Sequence, residues 1–161
     1  MLSIEETFIL VQEYLAISGL KLSSGVPSDV CGISDIDISL VHAEPEKLLH
    51  LMPKGTLKRL VQTISYPAYL YKFTFADRPI NIMASTSVKV YDAVKHREVE
   101  LELSHLYPNL LKSVIEIKKN TSWGTEKSWC HLLGLSGNEY EIMLNRDLVL
   151  EAAKQKIISS D

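Results

Sequence analysis

The sequence predicts an α+β fold, in which a small mixed sheet of about four strands is followed by a helical C-terminal half. Strand-like alternation of apolar and polar residues occurs before residue 85, whereas helical spacing of apolar residues fills 86–161. The length of 161 residues, with 46% hydrophobic and 23% charged residues, suits one packed domain and excludes a disordered chain. We therefore expect a single domain over 1–161, with a sheet-bearing part, 1–85, and a helical part, 86–161.

The chain is predicted to begin with a helix that two strands follow. Ser3 and Glu6 have the spacing of a capping box, and apolar residues recur at helical spacing until Gly19 ends the helix. Residues 20–24 are a first strand candidate, and a turn-rich loop comes after them. Residues 35–41 alternate between branched apolar and polar side chains, which predicts a second strand.

The next elements are a short helix and a hairpin. Pro45 suits the first turn of a helix, which we expect to continue to Met52 before a Pro-Lys-Gly turn breaks it. Residues 56–64 have no clear periodicity. The aromatic-rich run 69–75 and the apolar run 80–84, separated by a short turn, predict a β-hairpin.

The C-terminal half is predicted to contain four helices with no repeat, low-complexity tract or linker between them. Their expected ranges are 88–103, 108–119, 125–133 and 139–157.

Charge and composition exclude several classes of function. Seventeen Lys and Arg residues against twenty Asp and Glu give a formal net charge of −3, so there is no strong signal for nucleic-acid binding. The sequence has no signal peptide and no apolar stretch long enough to span a membrane, which predicts a cytoplasmic protein without a membrane partner. The five histidines show no metal-ligand spacing, and Cys130 lies in a helix that favours packing over catalysis.

The main candidate for chemistry is a pair of aspartates on the second strand. If residues 35–41 are extended, Asp35 and Asp37 point to the same face, with Cα atoms about 6.5–7 Å apart. Two such carboxylates repel by roughly 3 kcal/mol at an effective dielectric constant near 20. A divalent cation would offset this repulsion, since Mg²⁺ prefers carboxylate and phosphate oxygens. The alternative is a half-exposed strand whose aspartates simply face water.

Two further groups suggest phosphate contacts. Ser24 and Gly25 lie in a small-residue turn, which can present backbone N–H groups and hydroxyls to a phosphate; an ordinary Ser/Gly turn is the alternative. Lys95 and Arg97 are cationic residues of the helix predicted after the hairpin, and such side chains can contact a phosphate. A solvated charged helix face is the more common explanation of such residues.

These motifs together resemble the nucleotidyltransferase superfamily with the DNA polymerase β-like palm. Within it the chain looks most similar to a family of small bacterial proteins, a domain of unknown function. The resemblance extends from about residue 20 to residue 145. The segments that carry it are residues 22–27, 34–38, 79–82, 124–127 and 132–140.

The resemblance implies a site for a nucleoside triphosphate and Mg²⁺ or Mn²⁺. In active members three carboxylates hold two metal ions, a turn cradles the phosphates, and an acceptor hydroxyl displaces pyrophosphate. By this resemblance Asp35 and Asp37 are the metal-binding pair. Ser24 and Gly25 match the phosphate turn, and Ser34 belongs to the nucleotide-binding motif. Lys95 or Arg97 would contact a nucleotide phosphate if their helix borders the nucleotide cleft, as the resemblance suggests.

Two departures from the superfamily pattern leave two functions open. The turn reads Leu-Ser-Ser-Gly over residues 22–25, so its glycine is displaced, and the third carboxylate position reads Asn81. An amide oxygen can bind a metal ion but cannot accept a proton as a carboxylate does. Asp77, in the hairpin turn, is a substitute to consider. The chain is therefore expected to transfer a nucleotidyl group to an unknown acceptor, or to be a noncatalytic module that binds nucleotide or a protein partner.

Overall fold

The computed structural model describes residues 2–22, 26–27, 35–62 and 66–160. It confirms the α+β class, with a mixed sheet followed by a helical C-terminal half. The described chain divides into two compact units, with the boundary between Val94 and Lys95. Single-domain organisation over 1–161 stays a prediction.

The first unit contains one helix and a five-stranded sheet. Ser3 caps the helix: its hydroxyl accepts a hydrogen bond from the Glu6 N–H, and the Glu6 carboxylate accepts one from the Ser3 N–H. The elements are α1 (Ile4–Ile17), β1 (Val26–Pro27), β2 (Ile36–Val41), β3 (Leu57–Gln62), β4 (Pro67–Phe75) and β5 (Arg78–Ser85). Short 3₁₀ turns lie at Pro45–Lys47, Leu49–Leu51 and Val88–Tyr91.

The strands lie in the order β1-β2-β5-β4-β3. β2 and β5 are parallel, whereas the other neighbouring strands are antiparallel. The β4–β5 hairpin turns at Ala76 and Asp77, both of which have positive φ, 49° and 65°. Two such residues suit the right-handed twist of a tight hairpin. The predicted hairpin is therefore confirmed.

One face of this sheet forms the core of the first unit. Ile36 and Ile38 of β2 and Ile80 and Ile82 of β5 are buried, and α1 contributes residues such as Val11 to the same cluster. Because side chains alternate along a strand, the residues between these isoleucines project from the opposite face. The periodicity that builds the core thus also places Asp37 and Asn81 on the other side of the sheet.

The second unit is helical. Its helices are α2 (Asp92–Leu106), whose first turn precedes the boundary, α3 (Pro108–Asn120), α4 (Thr125–Leu133), α5 (Glu139–Leu144) and α6 (Arg146–Ser159). Trp129 is fully buried in their apolar core, a cluster that also contains Leu103 and Met143. Gly134 ends α4 in the left-handed conformation, with φ of 69°. The predicted bounds of α4 are confirmed.

Two predictions in the first unit are wrong. The described residues of the predicted strand 20–24 have no regular secondary structure, and the strand β1 falls at Val26–Pro27, inside the expected loop. Leu20 is nevertheless buried, so its apolar character reflects packing. The predicted helix between Pro45 and Met52 is instead two 3₁₀ turns.

In two other regions the sequence pattern did not predict the observed elements, because these depend on the tertiary structure. The run 56–64 contains β3, an edge strand with exposed side chains on both faces, which explains its lack of alternation. The predicted helix 139–157 is divided at Asn145, whose side chain accepts a hydrogen bond from the Leu148 N–H and so caps α6. None of the helices in the described part of the chain has the length and apolar content needed to cross a bilayer.

Candidate functional site

Asp35, Asp37 and Asn81 meet on the face of the sheet opposite the core. Asp37 pairs with Asn81 in the parallel register of β2 and β5, and Asp35 lies just before β2. The Asn81 Nδ2 donates to Asp35 Oδ2 at 2.9 Å and to Asp37 Oδ1 at 3.1 Å. All three residues are half-buried. The structure thus brings together the three residues that the sequence selected as the centre of the site.

The Asn81 amide links the two carboxylates. An amide nitrogen carries two hydrogens, and here one is directed to each aspartate. These bonds offset part of the repulsion between the carboxylates without adding a charge. The Asn81 Oδ1 is buried and has no hydrogen-bond partner among the described residues. Within that part of the chain, this oxygen is therefore a buried acceptor with no donor.

Lys72 is a neighbour of the site that sequence reasoning did not select. It lies on β4 directly opposite Asn81, so Asp37, Asn81 and Lys72 form a row across three strands. Cross-strand pairs of this kind have Cβ atoms roughly 4.5–5.5 Å apart. Lys72 is exposed, which leaves its ammonium group accessible at one end of the row. Only the strand register shows which residues Lys72 faces.

The structure describes only some of the other residues that were considered for the site in the first unit. Ser24, Gly25 and Ser34 lie outside the described residues. Val26, which follows Gly25 in the chain, is the antiparallel register partner of Asp37. Asp77 is exposed in the hairpin turn, four residues and roughly 13 Å of strand from Asn81. Asp77 therefore does not join the group formed by Asp35, Asp37 and Asn81.

Comparison with protein families matches residues 11–146 to one described as Domain of unknown function (DUF4269). The chain belongs to this family. The DUF4269 match includes the Asp35, Asp37 and Asn81 site and much of the second unit. No curated protein and no solved structure matches the chain. Because the description of DUF4269 assigns no activity, the nucleotidyltransferase resemblance stays a prediction.

Lys95 and Arg97, the predicted phosphate contacts, lie on α2 in the second unit of the DUF4269 chain. Lys95 is exposed. Arg97 is only 5% exposed, and its Nη1 lies 3.8 Å from Oε2 of the fully buried Glu100. A wholly solvated charged face is therefore the wrong description of α2. Because α2 carries many charged residues, the sequence alone does not show which of them point into the protein interior.

A second polar group in the DUF4269 chain consists of His96 and Glu100 on α2 and Glu126 on α4, which we call the α2–α4 cluster. Their ligand atoms all lie within 4.8 Å of one another. Burial raises the pKa of the Glu100 carboxyl to about 7, and the neighbouring Glu126 adds to the increase. Sequence reasoning missed this cluster, although the i, i+4 spacing of His96 and Glu100 was available to it.

Cys130 lies near these acids in the same unit. Burial, with contributions from Glu139, Glu126 and Glu100, raises the pKa of its thiol to about 11. The side chain is 5% exposed. A thiol that is both buried and protonated is a poor nucleophile, which agrees with the packing role expected from the sequence.

Proposed function

We propose that the protein binds a nucleoside triphosphate together with Mg²⁺, or Mn²⁺ in its place, at Asp35 and Asp37, as a protein of the nucleotidyltransferase type. The observation that carries this proposal is the convergence of both carboxylates with Asn81 on adjacent parallel strands. Hard divalent cations bind to one or two carboxylates and complete their coordination with phosphate oxygens and water. The aspartate pair would supply the carboxylate ligands of such a coordination shell, and phosphate oxygens and water would supply the rest.

Asn81 and Lys72 each have a role in this proposal. Asp35 and Asp37 would hold the cation, which would supply the positive charge that offsets their repulsion, and Asn81 would then no longer need to donate to both carboxylates. Rotation of the amide would turn its unused Oδ1 toward the cation as a neutral ligand. Lys72, in the same row, supplies a positive charge suited to a phosphate oxygen.

Transfer of a nucleotidyl group to an acceptor is the catalytic form of the proposal. The acceptor hydroxyl oxygen bonds to the α-phosphorus, the bond from that phosphorus to the bridging oxygen of the β-phosphate breaks, and pyrophosphate leaves. The hydroxyl proton must pass to a base. An amide cannot accept it, so the base would be a group other than Asn81.

This proton requirement favours a second candidate, a noncatalytic module that uses the same site to bind nucleotide or a protein partner. The specific observation is that Asn81 occupies the position next to Asp37 and donates to both aspartates. The two candidates share metal-nucleotide binding and differ in turnover.

Thermal unfolding tests the shared binding step. The wild-type protein is heated with Mg²⁺ or Mn²⁺ and each common nucleoside triphosphate, beside the Asp35→Asn/Asp37→Asn variant. A ligand at one hundred times its dissociation constant adds about 2.7 kcal/mol, which raises the melting temperature by several degrees. We expect a metal-dependent shift that the double variant loses. Asp77→Asn is the matched control, because it removes an exposed carboxylate in the hairpin turn.

The outcome separates three cases. No nucleotide-dependent shift in the wild type, or an equal shift in the double variant, contradicts the binding proposal. A shift accompanied by transfer of label from an α-labelled nucleotide to an acceptor supports the enzyme. A shift without any turnover supports the binding module.

A further inference from the structure

The α2–α4 cluster has the composition of a metal site separate from the aspartate pair. His96 and Glu100 lie one helical turn apart on α2, and Glu126 lies in the first turn of α4. The side chains of His96, Glu100 and Glu126 are 13%, 0% and 14% exposed. Two acids and an imidazole are therefore held together away from bulk water, within one compact unit.

His96 makes no hydrogen bond of ordinary length to either acid of the cluster. His96 Nδ1 lies 3.8 Å from Glu100 Oε1 and 3.5 Å from Glu126 Oε1, both beyond the usual range of a hydrogen bond. Neither oxygen of Glu100 has a hydrogen-bond partner among the described residues, and the same holds for His96 Nδ1. A fully buried carboxylate without donors is costly, and such groups in proteins are normally paired or bound to a metal ion.

The two oxygens of Glu100 have different surroundings. Oε2 lies 3.8 Å from the Arg97 guanidinium, whereas Oε1 lies on the side of His96. Arg97 balances one of the two carboxylates at most, so the group retains a negative charge when both acids are ionised and the imidazole is neutral. Glu100 Oε1 and Glu126 Oε1 both lie near His96 Nδ1, and the ligand atoms of the three residues lie within 4.8 Å of one another.

The spacing of these three atoms suits a shared cation. Metal–ligand distances of about 2.0–2.2 Å place tetrahedral ligand atoms roughly 3.3–3.6 Å apart, close to the two distances from His96 Nδ1. We propose that His96, Glu100 and Glu126 bind one divalent transition-metal ion of the zinc type. One imidazole nitrogen with two carboxylate oxygens suits Zn²⁺ better than Mg²⁺, which prefers oxygen ligands and retained water. Three protein ligands leave a fourth tetrahedral position for water or another ligand.

Calorimetric titration of the metal-free, full-length protein with Zn²⁺ alone tests the site. The Asp35→Asn/Asp37→Asn variant serves as background, so that the aspartate pair does not contribute. We expect binding of one equivalent, weakened by roughly tenfold or more in His96→Gln and in Glu126→Gln. Glu98→Gln is the matched control, because Glu98 lies on α2 between the two ligands but is exposed. It should bind Zn²⁺ as the background protein does.

Absorption spectroscopy with Co²⁺ in place of Zn²⁺ tests the same site without any substitution in the α2–α4 cluster. Tetrahedral Co²⁺ bound by nitrogen and oxygen should give visible absorption bands without the strong near-ultraviolet band of a thiolate ligand, and Cys31→Ser and Cys130→Ser should leave the spectrum unchanged. Circular dichroism verifies that each variant is folded.

Three results would overturn this proposal: no stoichiometric Zn²⁺ binding, equal binding by folded His96→Gln and Glu126→Gln proteins, or a thiolate band. The test is independent of the proposed nucleotide site. Glu126→Gln should retain any nucleotide-dependent thermal shift, and loss of Asp35 and Asp37 should leave Zn²⁺ binding intact.

Discussion

Asn81 lies directly opposite Asp37 on adjacent parallel strands, and its amide donates a 3.1 Å hydrogen bond to that carboxylate. The same nitrogen donates to Asp35 at 2.9 Å. A neutral side chain therefore stabilises a pair of carboxylates whose mutual repulsion a cation could also offset. A metal ion bound as proposed would compete with the amide for the same oxygens, so the identity of residue 81 should determine how strongly the stability of the protein depends on added metal.

Asn81→Asp should make the stability of the protein depend on a metal ion. The substitution removes both donated hydrogen bonds and places three carboxylates together. With a chelator present and near pH 7, we expect the free energy of unfolding to fall by about 2–3 kcal/mol, and Mg²⁺ to restore most of it. Urea denaturation with and without Mg²⁺ measures both effects.

Asn138→Asp is the matched control for this change of charge. Asn138 caps α5 by accepting hydrogen bonds from the Tyr140 and Glu141 N–H groups, a role that aspartate fills equally well. Its stability should be close to wild type in both conditions. Equal stability of Asn81→Asp and wild type in chelator would contradict the bridging role of the amide.

Ala76→Gly should stabilise the protein. Ala76 has φ of 49°, a left-handed conformation that costs energy for any residue with a Cβ and little for glycine. The steric relief exceeds the added flexibility of the unfolded chain, so we expect a gain of about 0.5–1 kcal/mol in urea denaturation. The same substitution at Ala152, inside α6, should instead cost about 1 kcal/mol. A loss of stability in Ala76→Gly would exclude this strain.

Glu102→Gln should destabilise the protein at neutral pH and lose its effect in acid. Glu102 accepts a 2.8 Å hydrogen bond from Arg146 Nε, and this ion pair lowers the pKa of the carboxyl. A lowered pKa in the folded state gives stability that is present above the ordinary pKa, 4.5, and is lost as pH falls through the folded-state pKa. Thermal melts of wild type and variant should differ near pH 7 and converge in acid.

Two controls check that this effect comes from the ion pair. Added salt should reduce the difference between wild type and Glu102→Gln, because the pair is partly exposed. Glu116→Gln removes the partner of Lys119 in an ion pair that is about two-thirds exposed on both sides, and should change the melting temperature little. A pH-independent effect of Glu102→Gln would mean that packing, rather than charge, accounts for it.

Cys130 should resist alkylation in the folded protein. With a pKa of about 11, roughly 0.1% of the thiol is ionised near pH 8, against roughly a quarter of an ordinary thiol. In a Cys31→Ser background, we expect a thiol reagent to react at least about a hundredfold more slowly with native protein than with protein unfolded in guanidinium. Similar rates in the two states would show that the thiol is accessible and ionised.

Local sequence signals predicted the elements that depend on local interactions. The bounds of α4 follow from helical spacing closed by Gly134, and the hairpin follows from two apolar runs joined by a short turn. The edge strand β3 has no alternation to detect because both of its faces are exposed. The two-residue β1 is defined only by its pairing with β2.

The candidate sites likewise combine residues that local patterns predict with residues that only the tertiary structure brings together. Two-residue alternation placed Asp35 and Asp37 on one face, and the superfamily resemblance added Asn81 from a distant strand. Lys72 joins them through strand register, which no local pattern encodes. The α2–α4 cluster required knowledge of which charges on α2 point inward, because that helix carries acidic and basic residues in nearly every turn.

The parallel contact between β2 and β5 also determines when during folding the aspartate pair is assembled. The hydrogen bonds from Asn81 span 46 and 44 residues of chain to Asp35 and Asp37, whereas β3, β4 and β5 are consecutive antiparallel neighbours. Short loops close faster than long ones, so we expect these three strands to pair first and β2 to join them late. A nascent chain that ends before β5 contains both aspartates but no strand on which they meet Asn81. The face that carries Asp35, Asp37 and Asn81 is thus among the last parts of the sheet to form, and its assembly marks the completion of strand pairing.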